Sequence, residues 1–131
     1  MSSKIRITSP QVTEPAAKRW SNCLKAGDFF YVSGLTSRGN DGATIEGNGE
    51  YEQAKIIFTK MKHLLEAGNS KMDDVVKLTL FVTNIANNKE VWRAREEFFT
   101  GDFPAASLVE VKGLATPEIL VEIEAVAYTG K

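Results

Sequence analysis

Residues 51–67 hold the most restrictive pattern in the chain. Ala54, Ile57, Phe58, Met61, Leu64 and Leu65 recur at spacings of three and four, which places them on one face of an α-helix. Gly68 follows the last of them, where a helix C-cap is expected. Such a helix must bury its apolar stripe against a sheet or another helix. Strands flank it on both sides. Residues 29–34 read Phe-Phe-Tyr-Val-Ser-Gly, aromatic and β-branched, and residues 75–82 read Val-Val-Lys-Leu-Thr-Leu-Phe-Val; both suit buried strands. The order strand, helix, strand predicts a βαβ unit with parallel pairing.

The remaining segments extend that unit. Residues 4–8 alternate polar and apolar like a short edge strand. Residues 20–24 are extended and reach the strand at 29–34 through a Lys-Ala-Gly-Asp turn, which makes a hairpin. Residues 38–49 carry Gly39, Gly42, Gly47 and Gly49 and predict a long surface loop. Asn87 and Asn88 offer an N-cap for a second helix ending near Phe99, with Val91, Ala94, Arg95 and Phe98 on one face. Residues 106–111 and 119–128 are the last strands. The order is β-β-α-β-α-β-β: an α+β fold, a single domain over residues 1–131, with one mixed sheet and two helices on one of its faces. Phe29, Tyr31, Leu80 and Val82 make both sheet faces read as apolar, so the face without helices calls for another copy of the chain.

Charge and rare residues exclude several functions. Among 131 residues, 16 Lys and Arg meet 17 Asp and Glu, for a net charge of −1. That balance lacks the basic excess of a nucleic-acid binder. Cys23 is the only cysteine and His63 the only histidine, so neither an internal disulfide nor a Cys/His metal site is expected. Residues 1–11 contain only Ile5 and Ile7 as large apolar residues, which is no signal peptide. No apolar run approaches the roughly 20 residues of a membrane span. A cytoplasmic protein without membrane contact is expected.

Several segments, in this order, resemble the Rid family, also called YjgF or endoribonuclease L-PSP. They are Val32-Ser33-Gly34, residues 75–82, Phe103-Pro104-Ala105, Val109-Glu110-Val111, and the Val-Glu-Ile-Glu-Ala-Val-Ala of residues 121–127. The resemblance runs from about Trp20 to Tyr128. It implies a chorismate-mutase-like fold and a homotrimer with small-molecule pockets between subunits. It also implies, for members of the RidA type, hydrolysis of enamines and imines to a carbonyl product and ammonia without a cofactor.

The resemblance assigns site residues one by one. Glu122 matches the glutamate that positions water. Ser33 and Gly34 match the Ser-Gly at the strand end. Trp20 stands where the family has an aromatic residue, usually Tyr, and Trp92 replaces an Asn on the second helix. In the family an Arg after Pro-Ala grips the substrate carboxylate, since a planar guanidinium matches a carboxylate with two charge-assisted hydrogen bonds. Here that position is Ala106, and a substrate other than 2-aminoacrylate is expected. Arg38, in Ser-Gly-Leu-Thr-Ser-Arg just past the strand end, is a candidate for the missing cation. Each position has a plainer role to set beside this: a solvated strand face for Glu122, a strand end for Ser33 and Gly34, interface packing for the two tryptophans, and a solvated loop residue for Arg38. A non-catalytic metabolite-binding or regulatory trimer is the alternative to a deaminase. Near-zero charge and a single histidine disfavour a ribonuclease.

Overall fold

The computed structural model describes residues 3–130. Three strands come first: β1 (Lys4–Arg6), β2 (Cys23–Ala26) and β3 (Phe29–Leu35). They are followed by α1 (Glu50–Ala67), β4 (Val75–Val82), α2 (Asn88–Arg95), β5 (Ala105–Glu110) and β6 (Val121–Tyr128). The strands form one six-stranded sheet in the spatial order β1-β2-β3-β6-β4-β5. The expected mixed sheet with two helices is present. The edge strand expected at residues 4–8 is β1, shortened to three residues, and it stands ahead of the hairpin β2–β3.

The expected parallel pairing across α1 is corrected. β3 and β4 do run in the same direction, but they are not neighbours. β6 lies between them, antiparallel to both. The direct parallel pair is β4 with β5, on either side of α2, with Leu78 opposite Ala106. Burial explains the arrangement. Val121, Ile123, Ala125 and Ala127 are all buried, as in an interior strand, whereas β5 has no fully buried residue, as at an edge.

One period decides both faces. Leu78, Leu80 and Val82 of β4 and Phe30, Val32 and Leu35 of β3 point into the core, where Ala54, Ile57, Phe58, Met61, Leu64 and Leu65 of α1 cover them. Phe29 and Tyr31 therefore do not share a face with Leu80 and Val82. They stand on the open face, 40% and 50% exposed, and the Phe29 ring lies 4.9 Å from that of Tyr128. Among the described residues, nothing covers this open face.

Two other segments differ from expectation. α2 stops at Arg95, because the chain tightens into shorter turns that bring Phe98 and Phe99 onto Phe58, with ring centroids at 5.4 and 5.7 Å. The glycine-rich stretch is a small hairpin closed by the bridge between Arg38 and Ile45. The Thr44 hydroxyl donates to Asp41 Oδ2, and the amides of Ala43 and Thr44 donate to Oδ1 at 2.9 and 2.8 Å; the hydroxyl first, then the amides, hold the Asp41 carboxyl down at about 2. Among the described residues, no helix is long and apolar enough to cross a membrane.

Gln53 ties the last strand to α1. It is 2% exposed; its Nε2 donates to the Glu118 carbonyl and its Oε1 accepts from the Leu120 amide, both at 2.9 Å. Those two bonds fix the segment that leads into β6. Gln53→Leu keeps the bulk and orphans both backbone groups, each costing on the order of 1–3 kcal/mol. The expected outcome is a clear fall in the urea midpoint with an unchanged slope; a midpoint equal to wild type would show that β6 is held without this clamp.

Candidate functional site

The site begins at an irregularity in β3. Val32 pairs with Ala125 and Leu35 with Ile123, so Ser33 and Gly34 together face Glu124 alone. Two residues against one make a β-bulge, which bends the strand and re-aims side chains. The Ser33 amide still donates to the Asn22 carbonyl at 2.9 Å. Beside the bulge, the Glu122 carboxylate folds over Gly34. A Cβ at position 34 would occupy the place of Glu122 Oε2, so a side chain here would push the Glu122 carboxylate aside. Glu122 and Glu124 project to the same open face, because Val121, Ile123 and Ala125 between and around them are buried. Glu122 is half-buried. Loss of water, and then the charge of Glu124, push its carboxyl above the ordinary range, which moves a carboxylate toward acid–base work near neutrality. The Ser33 hydroxyl is buried with no hydrogen-bond partner among the described residues.

Gly34 is also one wall of a cleft of about 410 Å³. Trp20, Arg19, Glu14, Thr36, Arg38 and Lys60 line it as well. Trp20 is held by polar ties. Arg6 Nη2 donates to Glu14 Oε1 at 2.8 Å and to the Trp20 carbonyl at 3.2 Å, and the Trp20 indole N–H donates to Asn22 Oδ1 at 3.2 Å. Asn22 Nδ2 in turn donates to Glu14 Oε2 at 3.1 Å. The Trp20 ring remains 57% exposed, a fixed apolar plate at the cleft mouth. Lys60 reaches from α1 and donates to the carbonyls of Thr36 and Arg38 at 2.7 and 2.5 Å. Dehydration lowers the Lys60 pKa. The Arg38 guanidinium makes only two long contacts, at 3.4 Å, to the carbonyls of Gly42 and Ala43. Among the described residues it has no carboxylate within ion-pair distance.

Five of the seven sequence candidates gather here. Trp20, Gly34 and Arg38 line the cleft; Ser33 and Glu122 adjoin it at the bulge. Trp92 and Ala106 do not join them. Trp92 is on α2, and Ala106 is on the edge strand β5, three strand spacings from β3, or roughly 14 Å. Lys60 and Arg19 were not among the candidates. Lys60 had a signal: it sits three residues after Ile57 and four before Leu64, a charge at the margin of the apolar stripe. Cys23 is fully buried; burial, then the Glu14 charge, push its thiol to about 12, so it is no nucleophile.

Comparison with known proteins places this geometry. Residues 11–129 match the family model described as endoribonuclease L-PSP. The chain belongs to this family, the Rid or YjgF family. It is 35% identical over 129 residues to a 2-iminobutanoate/2-iminopropanoate deaminase of Dermatophagoides farinae, covering 96% of this chain and 97% of that protein. A solved protein of unknown function from Pseudomonas aeruginosa is 38% identical, with a TM-score of 0.84 over 98% of this chain and 94% of that one. RidA from an Antarctic Psychrobacter is 25% identical, with a TM-score of 0.84 over 95% of this chain and 99% of that one. Family membership and the Rid architecture expected from the motifs are both borne out.

The raised carboxyl of Glu122 has a measurable signature. A group that binds its proton more tightly when folded makes stability decline as pH rises through the glutamate range to the raised folded value, and stay level above it. Glu122→Gln abolishes that titration. Thermal unfolding should therefore place the variant higher relative to wild type at pH 7 than at pH 4. An equal difference at both pH values would mean that Glu122 is not dehydrated.

Proposed function

We propose that this Rid-family chain hydrolyses an enamine or imine of a small carboxylated metabolite to a carbonyl product and ammonia, without a cofactor. The observation that carries the reading is the half-dehydrated Glu122 carboxylate folded over Gly34 at the margin of a cleft with unpaired positive charge. The named activity of the Dermatophagoides relative supports it. In this reading the enamine tautomerises to the imine. Glu122 takes a proton from a water molecule, whose oxygen adds to the C=N carbon. Glu122 returns that proton to nitrogen, giving a carbinolamine; the hydroxyl proton then passes to nitrogen as the C–N bond breaks, so ammonia leaves and the C=O bond forms. One water is consumed for each ammonia released.

Arg38 is the anchor for the substrate carboxylate, replacing the cation absent at Ala106. Trp20 stacks on the unsaturated part of the substrate, and the Ser33 hydroxyl, otherwise unpartnered, contacts it. Trp92 and Ala106 belong to the same pocket only if a neighbouring subunit brings them. The exposed β5 edge and the aromatic open face of Phe29, Tyr31 and Tyr128 suit such a neighbour in a homotrimer. Ala106 also favours a second reading, a trimer that binds the metabolite without turning it over, because a methyl group cannot replace a guanidinium.

An assay coupling imine generation to ammonia release separates these readings. The wild type should turn over 2-iminobutanoate or a larger carboxylated imine faster than 2-aminoacrylate. Glu122→Ala should lose about 100-fold or more in kcat. Arg38→Ala should raise KM roughly 10- to 150-fold with a smaller effect on kcat. Saturable binding with no ammonia from any substrate would select the non-catalytic reading. Light scattering should give three times the 14.4 kDa chain mass, and a monomer mass would remove the shared pocket.

A further inference from the structure

Arg38, Gly39 and Lys60 form the back of a second concavity, which opens on the other side of the wall they make with the cleft. It is a groove of about 370 Å³ between α1 and the hairpin of residues 38–45. Lys55 and His63 of α1 join Arg38 and Lys60 along it, and Glu46 is its only carboxylate. The charges do not cancel. Lys55 pairs with Glu97 at 3.4 Å, outside the groove. Glu46 lies against Gly39 and raises the Lys60 pKa through its charge, offsetting part of the dehydration. One positive charge is left over between Arg38 and Lys60. Donors are left over as well. Lys60 uses two of its three N–H bonds on the carbonyls of Thr36 and Arg38. Most of the Arg38 fork is unengaged. Asn40, also on the wall, accepts the Thr13 hydroxyl through Oδ1 at 2.9 Å, which leaves its amide N–H₂ to donate.

We propose that this groove is a binding site for a small phosphate-bearing anion, which shares the Arg38 and Lys60 wall with the substrate cleft and approaches it from the other side. Arg, Lys, imidazole and amide donors converge from two elements, a helix and a hairpin, which suits the several acceptor oxygens of a tetrahedral dianion better than the two of a carboxylate. The anion would also return Lys60 toward a normal charged state, offsetting the dehydration of an ammonium held with no carboxylate in contact. The hairpin that supplies Arg38 and Asn40 is itself pinned by Lys60 and capped by Asp41, so the donors are fixed before the anion arrives. The volume falls in the range of small-molecule sites, roughly 300–1,000 Å³, which leaves room for a short carbon chain on the phosphate.

The single histidine makes the test direct. His63 lines the groove and is not part of the cleft, so its ring signals in an NMR spectrum report the groove alone. The full chain is titrated at fixed ionic strength with inorganic phosphate, with glycerol 3-phosphate and with malonate. Saturable shifts of His63 with the phosphates, and at least tenfold weaker ones with malonate, are expected. Tighter binding of glycerol 3-phosphate than of phosphate would identify an organic ester as the ligand, and the reverse would identify free phosphate. In calorimetry, the double variant Asn40→Ala/His63→Ala, two residues of the groove that are not part of the cleft, should weaken phosphate binding at least tenfold, while Arg19→Ala, which alters only the cleft, leaves it unchanged. Neither variant touches the core. Three results would overturn the site: shifts that never saturate, malonate equal to phosphate, or binding lost in Arg19→Ala and kept in the double variant, which would put the anion in the cleft.

Discussion

The final strand of the chain is inserted between β3 and β4, and both the core and the site depend on that insertion. Without β6 the sheet separates into β1-β2-β3 and β4-β5, and the apolar stripe of α1 loses much of the surface it packs on. The period of two that buries Val121, Ile123, Ala125 and Ala127 also forces Glu122 and Glu124 onto the other face. A slip of one residue would drive both carboxylates into the core, and burying an unpaired charge costs far more than any gain in pairing. The register that the core demands is thus the register that presents Glu122. The bulge at Ser33 and Gly34 does the rest, because it leaves a space beside β6 that a side chain would fill and the Glu122 carboxylate occupies.

A second constraint acts on the cations. Lys60 is held off the bulk solvent by its two carbonyl bonds, and those bonds fix the backbone on either side of Ser37. The direction of Arg38 follows from that pinned backbone and from the bridge to Ile45. A loop rich in glycine would ordinarily spread an arginine over many orientations. Here the Asp41 cap, the bridge and Lys60 reduce them, so less side-chain freedom is lost when Arg38 takes hold of an anion.

The sequence made the architecture legible where one period ran without interruption. The stripe of α1 and the alternations of β4 and β6 locate themselves, and the ordered motifs name the family. Strand order was not legible, because βαβ logic treats successive strands as neighbours and nothing local in residues 121–128 says that they pass between β3 and β4. The two faces of the sheet were confused for a related reason: Phe29 and Leu80 are equally apolar, and only the register separates the buried residue from the exposed one. The end of α2 was set at a distance, by the rings of Phe98 and Phe99 reaching Phe58. Glu122, Gly34 and Arg38 could be picked from motifs, whereas Lys60 looked like one more charge on a helix until the carbonyls of Thr36 and Arg38 were seen to converge on it.

In the proposed function, an alanine at position 106 changes how the pocket is assembled. β5 is an edge strand two spacings from β6 and three from the bulge, so a cation at position 106 reaches Glu122 of its own chain only across β4. In the proposed trimer a cation there would serve a cleft through a neighbouring subunit, and any shift at the interface would alter the distance between the charge that holds the substrate and the carboxylate that acts on it. Arg38 follows Gly34 by four residues on the same chain, within the strand and hairpin that carry the bulge. In the proposed site the anchor and the acid are therefore held by one continuous piece of backbone, and the interface is left to shape and close the cleft. Subunit packing can then vary without moving the substrate carboxylate relative to Glu122. A guanidinium anchored from the hairpin also approaches from another side than one on β5, which is a physical reason to expect a substrate of different shape from 2-aminoacrylate.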